Sequence, residues 1–158
     1  MNRKDIQKNY ECAAFSSAFI LRHFGKEADG NELYKKYPRK LLDGTINAKG
    51  IIVFFKKLGL DSTYLSGNID TLKKQITQGI PVILFVRVFP NKRYLHFVPA
   101  VGYDEKFIYL VDSLPYTINC NEALYNRKVL ISELGAIWKT WIPFCKSSYI
   151  VINQKSMK

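Results

Sequence analysis

Cys12 stands at the junction of a polar lead-in, Gln7-Lys8-Asn9-Tyr10-Glu11, and an apolar stretch, Ala13 to Phe24, that Gly25 closes. A thiol in the first turn of a helix lies at the positive end of the helix dipole, which favours thiolate over thiol. Only two histidines are available as its base. His23 is eleven residues further along the same helix, about 16 Å away at the helical rise. It cannot reach the sulfur and is expected at the surface or the core edge. His96 remains, at the start of the β-type run Leu95-His96-Phe97-Val98-Pro99-Ala100-Val101-Gly102-Tyr103, and Asp112 ends the next such run. With Tyr103, Asp104 and Glu105 as the hairpin loop, His96 faces Asp112 directly, at a Cβ separation of about 5 Å. A slip of one residue would put the two on opposite faces. In the expected register the carboxylate holds one ring nitrogen and leaves the other for the thiol, the arrangement of nucleophile, base and orienting group that acyl transfer requires. Gln7 is a fourth candidate: its side-chain amide, with the backbone N–H of Cys12, can donate to a developing oxyanion, an effect of about 3 kcal/mol where one such donor has been removed.

Taken singly, each residue has a duller reading. A lone cysteine near a helix start is more often a small buried hydrophobe than a nucleophile, and an aspartate at a strand end usually does turn chemistry. Their order, spacing and local structure together favour the chemical reading.

The elements that must position these residues follow from hydrophobic period. A helix over about 12–24 is apolar almost all round, the mark of a helix in the middle of a domain. Shorter helices are expected near Asn31 to Tyr37, through Ile51, Phe54, Phe55 and Leu58, and between Asp70 and Gln78. After Pro81 the period changes. Val82 to Phe89, Tyr94 to Tyr103 and Phe107 to Asp112 read as an antiparallel meander, with Pro90-Asn91-Lys92 as the first turn. Residues 113–128 are polar and read as loop. Ser132 is expected to cap a helix carrying Leu134, Ile137, Trp138 and Trp141, and Tyr149 to Ile152 makes a last strand. Helices first and sheet second give an α+β domain in two lobes, one domain over 1–158, with its helical part at about 1–79 and its sheet part at about 80–153.

Bulk properties narrow the function classes. A 158-residue chain that is 47% hydrophobic and 14% aromatic folds as one globule with a real core. The charge of +11 raises an anionic partner, but the longest basic cluster, Lys35-Lys36-Tyr37-Pro38-Arg39-Lys40, is short, interrupted and outside any nucleic-acid-binding motif. Nucleic acid is therefore not expected as a partner. Cys12, Cys120 and Cys145 form no C-x-x-C pair and leave one thiol over, which fits a reducing compartment better than a disulfide frame. No His or Cys cluster suggests a metal, and no cofactor is expected. Asp5 and Glu11 in the leader argue against a signal peptide. No 18-residue apolar run exists, so no membrane span is expected. The cytoplasm is the expected compartment.

The chain resembles the cysteine peptidases that process bacteriocin precursors, the double-glycine leader peptidases of cysteine-peptidase family 39, in the papain-like clan. That family opens with Gln, a spacer and Cys-Gly-Ala-Ala before an apolar helix ending in Gly. Here the same stretch reads Gln7 to Ala14, with Gly25 closing the helix. The family's middle pattern is matched by Gly79-Ile80-Pro81-Val82-Ile83, His96-Phe97-Val98, Gly102-Tyr103-Asp104 and Val111-Asp112, and its tail by Leu134 to Trp141. The resemblance implies a papain-like two-lobe fold, with a helical lobe packed on an antiparallel sheet. It implies Cys12 as nucleophile, His96 as general base and acid, Asp112 as orienting residue and Gln7 as oxyanion donor. A peptide or precursor peptide would be the substrate, and an exporter acting in trans a partner, for a free-standing version of a domain commonly fused to a membrane exporter. The chain departs from the pattern in four places. Gln7 precedes Cys12 by five positions where six is usual. Ala13 replaces a glycine, and Ser113-Leu114-Pro115 follows Asp112 where proline often comes at once. Pro99 interrupts the histidine strand, which should then be an edge or carry a bulge. Two alternatives keep the same residues: an acyltransferase that passes the acyl group to an amine, and a non-catalytic peptide-binding module.

Overall fold

The computed structural model describes residues 2–8, 11–38, 40–90, 94–139 and 147–153. Trp141, Cys145, Asn91 and Lys92 lie outside them. Among the described residues, five helices and six strands follow in the order α1 (Cys12–His23), α2 (Gly30–Lys36), α3 (Ala48–Lys57), β1 (Asp61–Ser66), α4 (Ile69–Thr77), β2 (Val82–Arg87), β3 (Leu95–Tyr103), β4 (Phe107–Leu110), β5 (Arg127–Leu130), α5 (Ile131–Trp138) and β6 (Ser148–Asn153). The strands make one antiparallel sheet in the order β1-β6-β2-β3-β4-β5. This is the α+β architecture expected from the sequence.

The sheet is buried on both faces. Ile83, Phe97, Ile150 and Ile152 join a cluster with α1 and α3. Val82, Leu84, Val86, Val98, Tyr149 and Val151 join another with α4 and α5. Double burial explains why Val82 to Val86 is an unbroken apolar run instead of an alternating one.

Helix starts follow local chemistry. The side chains of Asp29, Asn47 and Asn68 cap α2, α3 and α4 through the N–H groups of Glu32, Gly50 and Thr71. Ser132 does not cap α5, contrary to expectation. Strand β5 runs straight into the helix, Leu130 occupies the cap position without a side-chain bond, and Ser132 lies one residue inside.

Two strands escaped the sequence pattern. Strand β1 falls inside the stretch read as helical and pairs along its length with β6. Strand β5 falls at the end of the stretch read as loop and pairs with β4. The histidine strand β3 is central, between β2 and β4, so Pro99 does not mark an edge. The Pro99 carbonyl accepts from the Val111 N–H at 3.0 Å. The missing proline N–H falls on the same side, where β4 has already ended at Leu110.

A bulge does lie two residues further on, and it decides the register. Tyr103 pairs with Ile108 and Gly102 with Tyr109, but Ala100 pairs with Leu110, leaving Val101 without a partner position. Continued unbroken, the hairpin register would set Asp112 opposite Pro99, on the face away from His96. Past the bulge Asp112 falls opposite Val98, on the His96 face and diagonal to it. The expected three-residue loop is not found: Tyr103 is still in the strand, and the turn closes with Asp104 N–H donating to the Phe107 carbonyl at 2.9 Å. The longer turn and the bulge offset each other, and the two side chains share a face.

Candidate active site

Cys12 is the first residue of α1 and is half-buried. The N-cap, Glu11, gives the first turn no side-chain capping bond, so that turn presents backbone N–H groups at the positive end of the helix. One turn on, the buried Ser16 hydroxyl donates to the Phe97 carbonyl of β3 at 3.1 Å. Residues four apart share a helix face, so this bond pins the Cys12 side of α1 to the residue next to His96. The other histidine, His23, is exposed at the far end of α1 and packs edge-on to Phe24.

His96 and Asp112 are both buried, and the ring Nε2 lies 2.7 Å from Asp112 Oδ1. Nε2 is thereby taken, which leaves Nδ1 for the Cys12 thiol, whose hydrogen bond and charge also act on the ring. Burial by itself would push the imidazolium pKa down. The charge and hydrogen bond of Asp112, and after them those of Cys12, overcome it and raise the ring to about 10. Asp112 responds in the opposite sense. Burial would raise its carboxyl, but the charge and hydrogen bond of His96, then the charge of Arg127 and the Leu114 N–H, hold it well below the usual carboxylate range. The structure thus hydrogen-bonds His96 to Asp112 and sets Cys12 near enough for its charge to act on the ring.

Gln7 is buried on the lead-in and tied to the residue after Asp112. Its N–H donates to the Ser113 carbonyl at 2.8 Å, and its side-chain oxygen accepts from the Ser113 hydroxyl. Serine here, where the family often has proline, is what supplies that hydroxyl.

Sequence reasoning missed the groups that hold Asp112. Arg127 Nη1 donates to Asp112 Oδ2 at 2.8 Å, and both are buried. The Asn126 side chain accepts from the Asp112 N–H at 2.7 Å and donates to its carbonyl at 2.9 Å. The signal available was an Asn-Arg pair before a short β-branched run, indistinguishable in sequence from polar loop. Among the described residues no group of three or more metal-ligating side chains clusters, and no helix is long and apolar enough to cross a membrane.

Comparison with solved structures returns the same fold at low identity. The peptidase domain of Streptococcus ComA, a bifunctional ABC transporter involved in quorum sensing, is 17% identical with a TM-score of 0.74, over 98% of this chain and 100% of that one. A C39-like peptidase from Bacillus anthracis is 18% identical with a TM-score of 0.72, over 97% and 95%. A double-glycine motif protease from an AMS/PCAT transporter, solved with its leader peptide, is 19% identical with a TM-score of 0.67, over 93% and 87%. No curated protein matches the chain. The family model described as the peptidase C39 family matches residues 4–149, nearly the whole fold including every residue of the site, and the chain therefore belongs to the peptidase C39 family.

Proposed function

We propose that the protein is a cysteine peptidase that cleaves peptide bonds through a thioester intermediate. Cys12 is the nucleophile: its proton already rests on His96 Nδ1, and the thiolate attacks the scissile carbonyl. His96 then returns that proton to the leaving amine, and water, deprotonated by the same ring, releases the acyl group. Asp112 holds the ring by Nε2 throughout. The Cys12 N–H at the uncapped helix start, with the Gln7 amide, stabilises the oxyanion. The observation that carries this reading is the buried hydrogen bond at 2.7 Å between His96 and Asp112, with the half-buried Cys12 near enough to act on the ring.

The substrate we infer is a precursor peptide cut after a double-glycine-type leader. Its support is the family membership and the leader-peptide complex of the AMS/PCAT protease. By the same analogy an exporter acting in trans receives the product, and the reaction takes place in the cytoplasm, where the thiol stays reduced.

The test is cleavage of a synthetic peptide carrying a Gly-Gly site, followed by mass spectrometry. Cys12→Ala should lower turnover by at least about 10,000-fold. The products should carry one added water; addition of an amine acceptor instead would assign the same residues to acyl transfer. Cleavage undiminished in Cys12→Ala would overturn the proposal.

A further inference from the structure

The Asp112 carboxylate is gripped from one side by a dipeptide that takes no direct part in the chemistry. Its Oδ1 accepts from His96 Nε2 at 2.7 Å and from the Leu114 N–H at 3.0 Å. Its Oδ2 accepts from Arg127 Nη1 at 2.8 Å. Asn126 takes both the N–H and the C=O of the same residue. Asn126 is itself anchored, since its N–H donates to the Leu110 carbonyl at 3.1 Å and its own carbonyl accepts from the Asn119 N–H at 3.1 Å. Leu110 pairs with Arg127 in the sheet, so both gripping residues stand at the start of β5, on the rigid ladder beside Asp112.

We propose that Arg127 is a positioning residue for the reaction, and Asn126 its backbone counterpart: together they fix the plane of the Asp112 carboxylate so that Oδ1 stays on His96 Nε2. This rests on the peptidase reading of the site. A carboxylate two residues past the end of a strand can rotate about its side-chain bonds. Once Oδ2 is pinned by a guanidinium, rotation would break a charge-assisted bond in a buried place. The guanidinium also keeps the carboxylate ionised where burial alone would favour its acid form. An ionised carboxylate only accepts hydrogen bonds. The proton shared with it must then lie on Nε2, and Nδ1 is left to hold the proton that the thiol has given up. A protonated Asp112 could donate instead and reverse the ring.

The charged and titratable groups around this pair are few among the described residues. Cys12 faces His96 from α1, with Glu11 before it. Arg127 faces Asp112 from β5. From β2, Val86 stands opposite His96, and the neighbouring Arg87 directs its guanidinium to the Pro90 carbonyl at 3.3 Å. Lys4 of the lead-in bonds the Glu122 carbonyl on the loop before β5. Arg127 is thus the one cation in contact with Asp112 besides the ring itself.

The test compares Arg127→Met and Arg127→Lys with the wild type on the Gly-Gly peptide, alone and in an Asp112→Asn background. Arg127→Met should lower kcat about 100-fold with KM within about twofold, a loss like that of a single aligned hydrogen bond in a catalytic site. Losing a nearby positive charge raises the pKa of every group around it, so both limbs of the kcat/KM profile should move to higher pH by about one pH unit. Arg127→Lys should restore most of the rate and leave the limbs in place. In the Asp112→Asn background the same Arg127→Met change should cost less than about threefold, because its route of action is gone. NMR titration of the His96 ring reads the coupling without turnover: its midpoint should rise in Arg127→Met and stay put in Arg127→Lys. Unchanged kcat, profile and ring titration in Arg127→Met would overturn the positioning role, as would a full 100-fold loss persisting beside Asp112→Asn. Should Arg127→Met not fold, Arg127→Gln and the charge-free Asp112→Asn/Arg127→Gln pair carry the same comparison. A wild type that leaves the peptide intact would instead count against the peptidase reading, and the ring titration would still decide the role of Arg127.

Discussion

The two flanks of His96 are built to opposite specifications. On one, Asp112 has no solvent exposure and is held at its carboxylate and at both backbone polar groups. On the other, Cys12 is half-buried at an uncapped helix start, with its nearest fixed point a single hydroxyl bond one turn away. A base must be aimed, and aiming a ring requires a rigid partner that cannot turn. In the proposed reaction a nucleophile must meet a substrate from outside, and a half-buried thiol at a helix start suits that purpose. On the proposed mechanism, the contrast separates the part of the site that orients from the part that reacts.

Substitution on each flank should tell the two apart. Asp112→Asn attacks the orienting flank and should lower kcat by about 10,000-fold through the wrong ring tautomer, while iodoacetamide still alkylates the half-buried thiol. A variant within tenfold of the wild type would erase the contrast. Gln7→Ala removes the proposed oxyanion donor and should lower kcat by about 100-fold or more. A peptide aldehyde, which forms a tetrahedral adduct at the sulfur, should lose affinity in parallel. Ser16→Ala releases the pin between α1 and β3. The buried Phe97 carbonyl then lacks that donor, which should cost about 1–2 kcal/mol in denaturant unfolding.

The smallest effect is on stability against pH, and its sign is fixed. The ring pKa is raised on folding, from an unfolded value of about 6.5 to about 10. Its stabilisation is therefore complete below about pH 6.5 and is lost as the pH rises toward about 10. The difference in melting temperature between the wild type and His96→Phe should narrow from pH 6 to pH 10. A widening gap would contradict the assignment of the ring as the charged partner of Asp112.

Much of the reacting flank was legible in the sequence. Cys12 announces itself by where polar text gives way to an apolar helix, and His96 by being the only histidine within reach of it. The orienting flank was only half legible. Asp112 is visible as the end of a β-type run, but Arg127 is a buried charge, and a charge in sequence reads as surface. Strand β5 is four residues long and begins with that arginine and a lysine, so its period was unreadable. Strand β1, Asp61–Ser66, is an edge with mostly exposed or half-buried positions, and its polar composition carried too little apolar alternation to announce a strand. The bulge at Val101 was marked loosely in sequence, by Pro99 two residues before it and Gly102 beside it, but its position is set by how β4 meets β3.

That bulge bears on how other chains of this kind should be compared. With a four-residue turn, a plain ladder keeps a histidine and an aspartate on one side only when an odd number of positions separates them, and one surplus residue makes the number even. The sixteen-position interval between His96 and Asp112 is therefore not a signature in its own right. A chain lacking the counterpart of Val101 would keep the same partners at fifteen, and a search keyed to a fixed interval would pass it by.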